Sequence, residues 1–374
     1  MNKVFIVGSK GPYSLGGYET FVRCLSPELS KYNFEVYVTS ESYEGDTRNS
    51  TLSTKINVIH LFNKKKSISP FIRILYDLYS VILAIKYKAD IVYMCGYNSA
   101  WVLVIPLIFG KRTYINSDGI EWARPTWGNN IIKRYYLIFN EWLMKALPLT
   151  VISDSQSIAN FLKERLNLYS HFIPYGGDSF QFSQAETDIE VLEKYQLKKK
   201  NYYFISVRIV EDNYIDHLIS SFKEIQSDLV IIGKIPATSY GKKIENLLHN
   251  KIRIIDMTSM NPEYNIIRHY AKANIHSHRF GGTSPNLLEV MYLKVPIIAF
   301  DTAYSREVLG ENALYYNDPE TLKNQIAIFE TLANETIESW LESNYKNITA
   351  LYNWSEVARR TAGLFTDNKT QEIV

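Results

Sequence analysis

The sequence predicts an α/β protein with two Rossmann-like parallel sheets in tandem. Short β-branched and apolar runs, typical of buried strands, alternate with longer amphipathic segments, typical of helices, and the alternation occurs twice along 374 residues. This length also suits two domains of ordinary size. Turn residues cluster at Pro174–Gly177 and are followed by the polar segment Gln181–Lys200, so a domain boundary is expected there.

The predicted elements follow one another regularly in both halves. The first half has six candidate strands and two helical patterns, at Lys3–Val7, Tyr18–Lys31 (helix), Glu35–Thr39, Asn57–His60, Ile68–Lys86 (helix), Ile91–Met94, Arg112–Asn116 and Leu149–Ile152. The second half has five strands and four helical patterns, at Tyr203–Val207, Ile215–Ile225 (helix), Asp228–Ile232, Ile252–Ile255, Pro262–Lys272 (helix), Ala273–His276, Pro285–Leu293 (helix), Pro296–Phe300 and Thr321–Phe329 (helix). We therefore predict domains at residues 1–175 and 176–350, and a C-terminal part at 351–374 with a helix over Trp354–Phe365.

The charge is distributed unevenly between these halves. The whole chain has 41 Lys+Arg and 39 Asp+Glu, a net charge of +2, which argues against a nucleic-acid-binding polycation. Residues 1–175 carry 20 Lys+Arg and 13 Asp+Glu, a net charge of +7, whereas residues 176–374 carry 21 and 26, a net charge of −5. The two halves are therefore expected to bind different partners.

Basic and aromatic residues occur together in two segments of the first half. Lys64–Lys66 precedes the helical pattern Ile68–Lys86, and Ile131–Tyr136 is followed by Phe139 and Trp142. Such segments suit an anionic membrane interface, although two ordinary amphipathic helices explain them equally well. The longest apolar run, nine residues at Trp101–Phe109, is about half of a membrane span. With no secretory signal pattern either, we expect a cytoplasmic protein, peripheral on the inner face of the membrane.

The first candidate site is the glycine-rich loop Gly8–Glu19, between the first strand and the first helix. Ligands bind at this edge of open α/β sheets. Gly16 and Gly17 would let the backbone approach a ligand, and the helix N-terminus offers N–H groups to an anion. The glycine spacing is neither that of a dinucleotide-binding loop nor that of a Walker loop, so an ordinary connecting loop is the alternative.

The second candidate site is Ile275–Glu289, where a strand ends, a glycine pair turns the chain and a helix begins. Ser284 suits the N-cap and Pro285 the first helical position, which together make an anion-binding corner. Glu289 lies in an otherwise apolar stretch, so its carboxylate must be solvated, paired or bound to a ligand. Its two oxygens suit a vicinal diol such as a ribose.

Two further sites follow strands. Arg208, after the first strand of the second half, can bind phosphate through its forked guanidinium, and Lys234, after the next strand, would add a second positive charge. In the first half, Asp118 and Glu121 follow a strand and are candidate acid/base carboxylates. Surface cations and an Asx turn with a solvated glutamate are the structural alternatives.

The sequence gives little support for a metal site. Its two cysteines, Cys24 and Cys95, are too few for a disulfide framework or a zinc site, and buried free thiols are expected. His276 and His278 alternate on a strand and would face the same way, but a third ligand is not apparent. We therefore expect neither a metal nor another resident cofactor.

Taken together, these motifs resemble those of glycosyltransferase family 4, and more narrowly the bacterial rhamnosyltransferases of polysaccharide assembly. The matching segments are Gly8–Gly11, Gly16–Val22, Asp118–Trp122 and His276–Glu289. The resemblance covers nearly the whole chain, including Trp354–Glu356, which is similar to the start of the family's last helix. It implies a GT-B fold, in which an N-terminal acceptor-binding domain and a C-terminal nucleotide-sugar-binding domain face each other across a cleft and the last helix crosses back to the N-terminal domain.

The resemblance also implies roles for residues at the matching positions. Arg208 would bind the donor pyrophosphate and Glu289 the donor ribose, and Lys234 is added from its place at the neighbouring strand. The full donor set would be Gly16, Gly17, Arg208, Lys234, Gly282, Thr283, Ser284, Asn286 and Glu289. Asp118 and Glu121 would be catalytic, Asp118 lying where many relatives have a catalytic histidine. Tyr18, Glu19 and Trp122 would bind the acceptor.

Two positions depart from the family pattern. Gly281 stands where the first glutamate of the family's Glu-x7-Glu motif contacts the sugar, and Asn213 replaces a lysine five residues after the arginine. The missing glutamate fits a 6-deoxy sugar. The resulting hypothesis is a retaining hexosyltransferase that moves L-rhamnose from dTDP-L-rhamnose onto a lipid pyrophosphate-linked saccharide at an anionic membrane surface. The alternatives are a UDP- or GDP-sugar donor, or a GT-B sugar-nucleotide epimerase or hydrolase.

Overall fold

The fold was analysed in a computed structural model, which describes residues 1–14, 16–42, 49–53, 56–62, 70–124, 130–180, 182–258 and 261–367. The basic run Lys64–Lys66 lies outside the described residues. The chain forms two compact units, one of Met1–Ala123, Trp127–Gly176 and Asn353–Val374, and one of Arg124–Thr126 and Gly177–Tyr352. The main chain thus passes between units at 176/177 and 352/353.

The first unit is built on an eight-stranded sheet with the order β3-β4-β2-β1-β5-β6-β7-β8. Its strands are β1 (Asn2–Val7), β2 (Phe34–Ser42), β3 (Asn49–Ser53), β4 (Ile56–Phe62), β5 (Ile91–Cys95), β6 (Arg112–Ser117), β7 (Thr150–Ser153) and β8 (His171–Phe172). All neighbours are parallel except β3 and β4. The six strands predicted for this half are present; polar β3 and two-residue β8 were not predicted.

The second unit is built on a six-stranded parallel sheet with the order β11-β10-β9-β12-β13-β14. Its strands are β9 (Tyr202–Ser206), β10 (Asp228–Ile232), β11 (Ile252–Ile255), β12 (Asn274–His276), β13 (Ile297–Phe300) and β14 (Leu314–Tyr316). The five predicted strands are present, and the short edge strand β14 is additional. Because β9 lies between β10 and β12, the loops that follow these three strands emerge side by side.

The helices connect these parallel strands. They are α1 (Gly17–Ser30), α2 (Pro70–Lys86), α3 (Val104–Ile108), α4 (Ile131–Ala146), α5 (Gln156–Leu166), α6 (Asp188–Lys194), α7 (Ile215–Ser221), α8 (Ser239–Leu247), α9 (Pro262–His269), α10 (Pro285–Tyr292), α11 (Ala303–Leu309), α12 (Pro319–Phe329), α13 (Asn334–Leu351) and α14 (Trp354–Thr366). None of the described helices combines the length and apolar character needed to cross a bilayer.

Each sheet has its own apolar core. Residues of β1 and β5 are almost completely buried, as expected for parallel strands covered by helices on both faces. In the first unit Phe5, Val92 and Ile115 belong to one buried cluster, and in the second unit Tyr203 and Leu229 belong to another. The helical connections therefore sit on the two faces of each sheet and leave its carboxyl edge to the loops.

The last helix, α14, packs within the first unit against α1. The Phe365 ring lies 4.8 Å from that of Tyr114, and the Trp354 ring stacks on that of Tyr175 at 6.5 Å. Gly176 is needed for this packing, because a Cβ atom there would lie 2.7 Å from the Trp354 ring. The C-terminal helix is therefore an integral part of the N-terminal Rossmann-like unit.

Candidate active site

In the second unit, the predicted donor-binding residues lie at one edge of the sheet. Arg208 follows β9, Lys234 follows β10, and Gly282 and Thr283 follow β12. Since these strands are parallel neighbours, the loops gather at their shared carboxyl edge, where open α/β sheets bind ligands. The structure thus brings residues that are up to 75 positions apart in sequence to one edge (283 − 208 = 75).

The Arg208 loop is closed by its own residues. The Arg208 carbonyl accepts hydrogen bonds from the Asn213 side-chain amide at 2.7 Å and from the Val210 backbone N–H at 2.9 Å. Asn213, which departs from the family's lysine, therefore has a structural task here. The Arg208 and Lys234 side chains are exposed, and neither forms an ion pair with a described residue. Both cations are available to an anion.

The glycine turn leads directly into α10. Gly281 has φ of 118°, a conformation that side chains disfavour, and Gly282 and Thr283 are buried. Ser284 occupies the N-cap and Pro285 the first turn, as predicted, but the Ser284 hydroxyl makes no capping hydrogen bond. The corner expected from the sequence is present, without its side-chain cap.

Glu289 is buried and its carboxylate is held from two sides. The Ser179 hydroxyl donates to Oε1 at 2.6 Å, and Nη1 of Arg268 donates to Oε2 at 3.0 Å. Of the three states that the sequence allowed for this carboxylate, the structure shows the paired one. Sequence reasoning missed Arg268, although it lies four residues after Tyr264 and one after Ile267 on the buried face of α9.

Asn286 ties three elements together. Its side-chain amide donates to the Ser206 carbonyl at the end of β9 at 3.2 Å. Its Oδ1 atom accepts from the Tyr264 hydroxyl at 3.2 Å and from Arg268 at 3.0 Å. The predicted donor contact of Asn286 thus stays a prediction, whereas its structural role in joining β9, α9 and α10 is evident.

His276 and His278 are neutral near pH 7. Burial lowers the pKa of His276 to about 4, and burial, followed by the neighbouring His276, lowers that of His278 to about 3. Their rings lie 6.0 Å apart. Within the described part of the chain, no group of three potential metal ligands includes them. As neutral side chains, both can donate or accept hydrogen bonds at this carboxyl edge of the sheet without adding charge.

In the first unit, α1 and the β6 loop bring Tyr18 and Asp118 together. The Tyr18 hydroxyl donates to the Asn116 carbonyl at 3.0 Å. Burial, and then the Asp118 charge, raises the pKa of Tyr18 well above its usual value. The predicted acceptor residue Tyr18 and the predicted catalytic residue Asp118 therefore share the carboxyl edge of this sheet.

The glycine-rich loop before α1 is organised by Glu19. This buried side chain accepts a hydrogen bond from the Lys10 backbone N–H at 2.9 Å. Gly16 has φ of 150°, and a Cβ atom there would lie 1.9 Å from Oε2 of Glu19. A Cβ atom at Gly17 would meet nothing within 4 Å, and the contact of Gly17 with a ligand stays a prediction. Glu19 positions the loop, and its contact with an acceptor stays a prediction.

Glu121 and Trp122 belong to a short 3-10 helix, Glu121–Ala123, after β6. The Glu121 backbone N–H donates to the Tyr97 hydroxyl at 2.7 Å. The Trp122 indole N–H donates at 2.8 Å to buried Glu141, which also accepts from Nε of Arg165 at 2.8 Å. The Arg165 guanidinium covers the Trp122 ring at 4.6 Å from its centroid. Sequence reasoning missed Glu141 and Arg165, whose pairing depends on contacts between α4 and α5.

Several carboxyl groups lie together at the carboxyl edge of the first sheet, although this half of the chain is basic. Burial, then the charges of Glu19, Asp118 and Asp77, raises the pKa of the Cys95 thiol well above its usual value. Burial raises the pKa of Asp77 itself to about 7. Cys95 is a buried free thiol, as predicted, whereas Cys24, which was also predicted to be buried, is only partly buried. Cations share this edge, because Arg73 and Lys10 oppose the rise in the pKa of Glu41 that burial causes, and Arg73 does the same for Asp77.

Both halves of the chain match known sequence families. Residues 1–178 match a domain of unknown function (DUF1972), and residues 188–347 match glycosyl transferases group 1. No curated protein matches the sequence of the chain. The second match, together with the solved structures below, supports a GT-B glycosyltransferase.

Several solved glycosyltransferase structures resemble this chain over almost its full length. Sucrose-phosphate synthase from Thermosynechococcus elongatus matches with a TM-score of 0.82 and 16% identity, covering 97% of this chain and 98% of that one. WaaG, a glycosyltransferase involved in lipopolysaccharide biosynthesis, matches with a TM-score of 0.72 and 12% identity, covering 97% and 99%. Anabaena HepE in complex with UDP matches with a TM-score of 0.71 and 14% identity, covering 98% and 99%. The chain has the two-domain, Rossmann-like GT-B fold.

Proposed function

We propose that this chain is a retaining rhamnosyltransferase of glycosyltransferase family 4 that moves L-rhamnose from dTDP-L-rhamnose onto a lipid-linked saccharide in bacterial surface polysaccharide synthesis. The proposal rests on the carboxyl edge of the sheet in the second unit, where the predicted donor-binding residues of that unit lie. Two exposed cations, Arg208 and Lys234, a glycine turn and the carboxylate of Glu289 lie together there. A nucleoside diphosphate sugar has the matching groups, a pyrophosphate and a pentose.

The donor would be bound by the second unit. Arg208, Lys234 and the N-terminus of α10 would stabilise the charge that develops on the leaving diphosphate, which is usually the largest catalytic contribution. Glu289 would accept a hydrogen bond from a hydroxyl of the donor pentose. HepE, one of the similar structures, was solved in complex with UDP, which supports a nucleotide-containing donor.

The acceptor would be bound by the first unit, with its hydroxyl oriented by Asp118. In the transfer, the bond between the anomeric carbon and the diphosphate oxygen breaks and a bond to the acceptor oxygen forms on the same face of the sugar. The acceptor proton passes to the leaving diphosphate. Asp118, and Glu121 on the same loop, would stabilise the positive charge that develops on the sugar ring.

Gly281 supports a 6-deoxy sugar as the transferred group. It stands where the resembling family has a carboxylate that contacts the sugar, and its φ of 118° favours glycine. A pocket without this carboxylate lacks one group that could accept a hydrogen bond from a sugar hydroxyl. A deoxy sugar, which has fewer hydroxyl groups to satisfy, is the donor that such a pocket suits best.

The donor is tested by calorimetric titration with dTDP, UDP and GDP, followed by turnover with dTDP-L-rhamnose, UDP-sugars and GDP-mannose. We expect dTDP to bind most tightly and sugar transfer to occur only when a lipid-linked saccharide is present. Nucleotide release at the same rate without acceptor would indicate a hydrolase or epimerase. Tighter binding and faster transfer with a UDP- or GDP-sugar would contradict the rhamnose assignment alone.

We also propose that the first unit binds to the anionic inner surface of the cell membrane. α4 exposes large apolar side chains along one face, with exposed fractions of 79% for Ile132, 65% for Tyr135 and 51% for Trp142, and Arg134 beside them is exposed too. α2 likewise exposes Tyr79, at 52%. Exposed aromatic residues next to cations suit the headgroup region, so these helices have a second apolar face besides the one that packs on the core.

Vesicle flotation tests this surface. We expect the full-length protein to bind vesicles that contain anionic lipid and to bind less as salt increases. The double substitution Ile132→Asp with Tyr135→Asp should abolish binding, whereas Tyr169→Asp, at another exposed tyrosine, should have no effect. If the double variant binds as the wild type does, α4 is not the membrane-contacting surface.

A further inference from the structure

The Glu289 carboxylate is paired with an arginine that no solvent reaches. The Arg268 side chain is 0% exposed. Its Nη1 atom lies 3.0 Å from Oε2 of Glu289 and 3.0 Å from Oδ1 of Asn286, and its Nη2 atom lies 2.6 Å from Oδ1 of Asn265. One guanidinium thus contacts two of the residues assigned to donor binding, and it cannot itself touch a ligand.

Aromatic rings fix the plane of this guanidinium. It lies 4.6 Å from the centroid of the Tyr264 ring and 5.4 Å from that of the Phe180 ring. The Nε atom of Arg268 is buried and has no hydrogen-bond partner, which is unfavourable. Since well-packed apolar side chains often replace buried ion pairs without loss of stability, stability alone does not account for an arginine at this position.

We propose that Arg268 is a positioning residue that holds Glu289 and Asn286 in the orientation that binds the donor. The inference rests on the proposed function, in which Glu289 accepts a hydrogen bond from the donor pentose. The Ser179 hydroxyl and Arg268 each occupy one site on the two carboxylate oxygens and leave the other sites to a ligand hydroxyl. A carboxylate held in this way binds without first losing rotamer freedom.

A double-mutant cycle on dTDP binding tests this assignment. We expect Arg268→Lys and Glu289→Gln each to weaken dTDP binding roughly tenfold, the scale of losing one hydrogen bond to a charged group. If Arg268 acts through Glu289, the double variant should bind dTDP no more weakly than whichever single variant binds dTDP less tightly. Losses that multiply to about a hundredfold, or unchanged binding in Arg268→Lys, would overturn the assignment.

Controls separate positioning from a loss of structure. Arg253→Lys changes a second arginine of the same unit, which is partly buried and whose Nη1 atom donates to the Tyr195 carbonyl at 2.7 Å, and should leave dTDP binding unchanged. Should Arg268→Lys not fold, Asn265→Ala removes one guanidinium partner at a partly exposed position and should give a smaller, equally non-multiplicative loss. Wild-type protein that binds none of dTDP, UDP and GDP would reject the proposed function, whereas multiplicative losses reject only the role of Arg268.

Discussion

The Arg208→Ala variant is expected to lose about 2–4 kcal/mol of transition-state stabilisation, the scale of removing one preorganised electrostatic donor. This corresponds to a decrease in kcat/KM of roughly 30- to 900-fold. The structural reason is that the Arg208 side chain is exposed at the carboxyl end of β9 and forms no ion pair with a described residue. Its charge is therefore available to the diphosphate that leaves.

Thermal unfolding should be nearly unchanged in this variant, because the loop is closed by the Arg208 backbone carbonyl and not by its side chain. Arg208→Lys should fall between alanine and wild type, since it keeps the charge but loses the forked geometry that suits phosphate. Lys223→Ala, at an exposed cation that follows the C-terminal end of α7, serves as the matched control and should retain full activity. Wild-type turnover by Arg208→Ala would remove Arg208 from the site.

The sheets could be predicted from the sequence because their strands are buried on both faces. Strands such as β1 and β10 are short apolar runs, and this pattern is visible in the sequence without knowledge of which elements pack on the strands. β3 has the sequence Asn-Ser-Thr-Leu-Ser, and β14 has three residues at a sheet edge, so neither has a comparable signal. α13 has near-balanced polarity and few buried residues, which explains why it was not predicted.

The site was predicted in outline and not in its supporting contacts. Motif positions placed Arg208 and Asp118 directly after strands and Glu289 in the helix that follows β12, and parallel-sheet geometry accounts for the position of the strand ends at the sheet edges. The partners Ser179 and Arg268 lie 110 and 21 residues from Glu289, and no local spacing relates them. Buried polar partners are determined by tertiary packing, which one sequence does not disclose.

The charge asymmetry of the sequence has a more specific structural meaning than expected. The basic half was predicted to face anionic partners, yet the carboxyl groups of Glu19, Asp77 and Asp118 lie around Cys95 at the carboxyl edge of its sheet. Under the proposed function, carboxylates at this edge would bind sugar hydroxyls and stabilise positive charge on a reacting ring.

The Asp118→Asn variant is expected to lower kcat about a hundredfold, near the lower end of the range for a positioned acid/base group. Asn keeps the size of the side chain but removes the charge that would stabilise a cationic sugar ring. The Kd for dTDP should stay at the wild-type value, because the side chains assigned to the nucleotide, those of Arg208, Lys234 and Glu289, belong to the second unit, whereas Asp118 follows β6 in the first.

The matched control is Asp90→Asn, which changes a carboxylate at the opposite, amino end of the same sheet, just before β5. It should leave kcat unchanged. Glu121→Gln distinguishes the two carboxylates assigned to catalysis. A smaller decrease in kcat than for Asp118→Asn would show that Asp118 contributes more to the rate. Single-turnover rates with dTDP-L-rhamnose and a lipid-linked saccharide measure the chemical step directly. If that rate in Asp118→Asn equals that of the wild type, Asp118 has no part in the reaction.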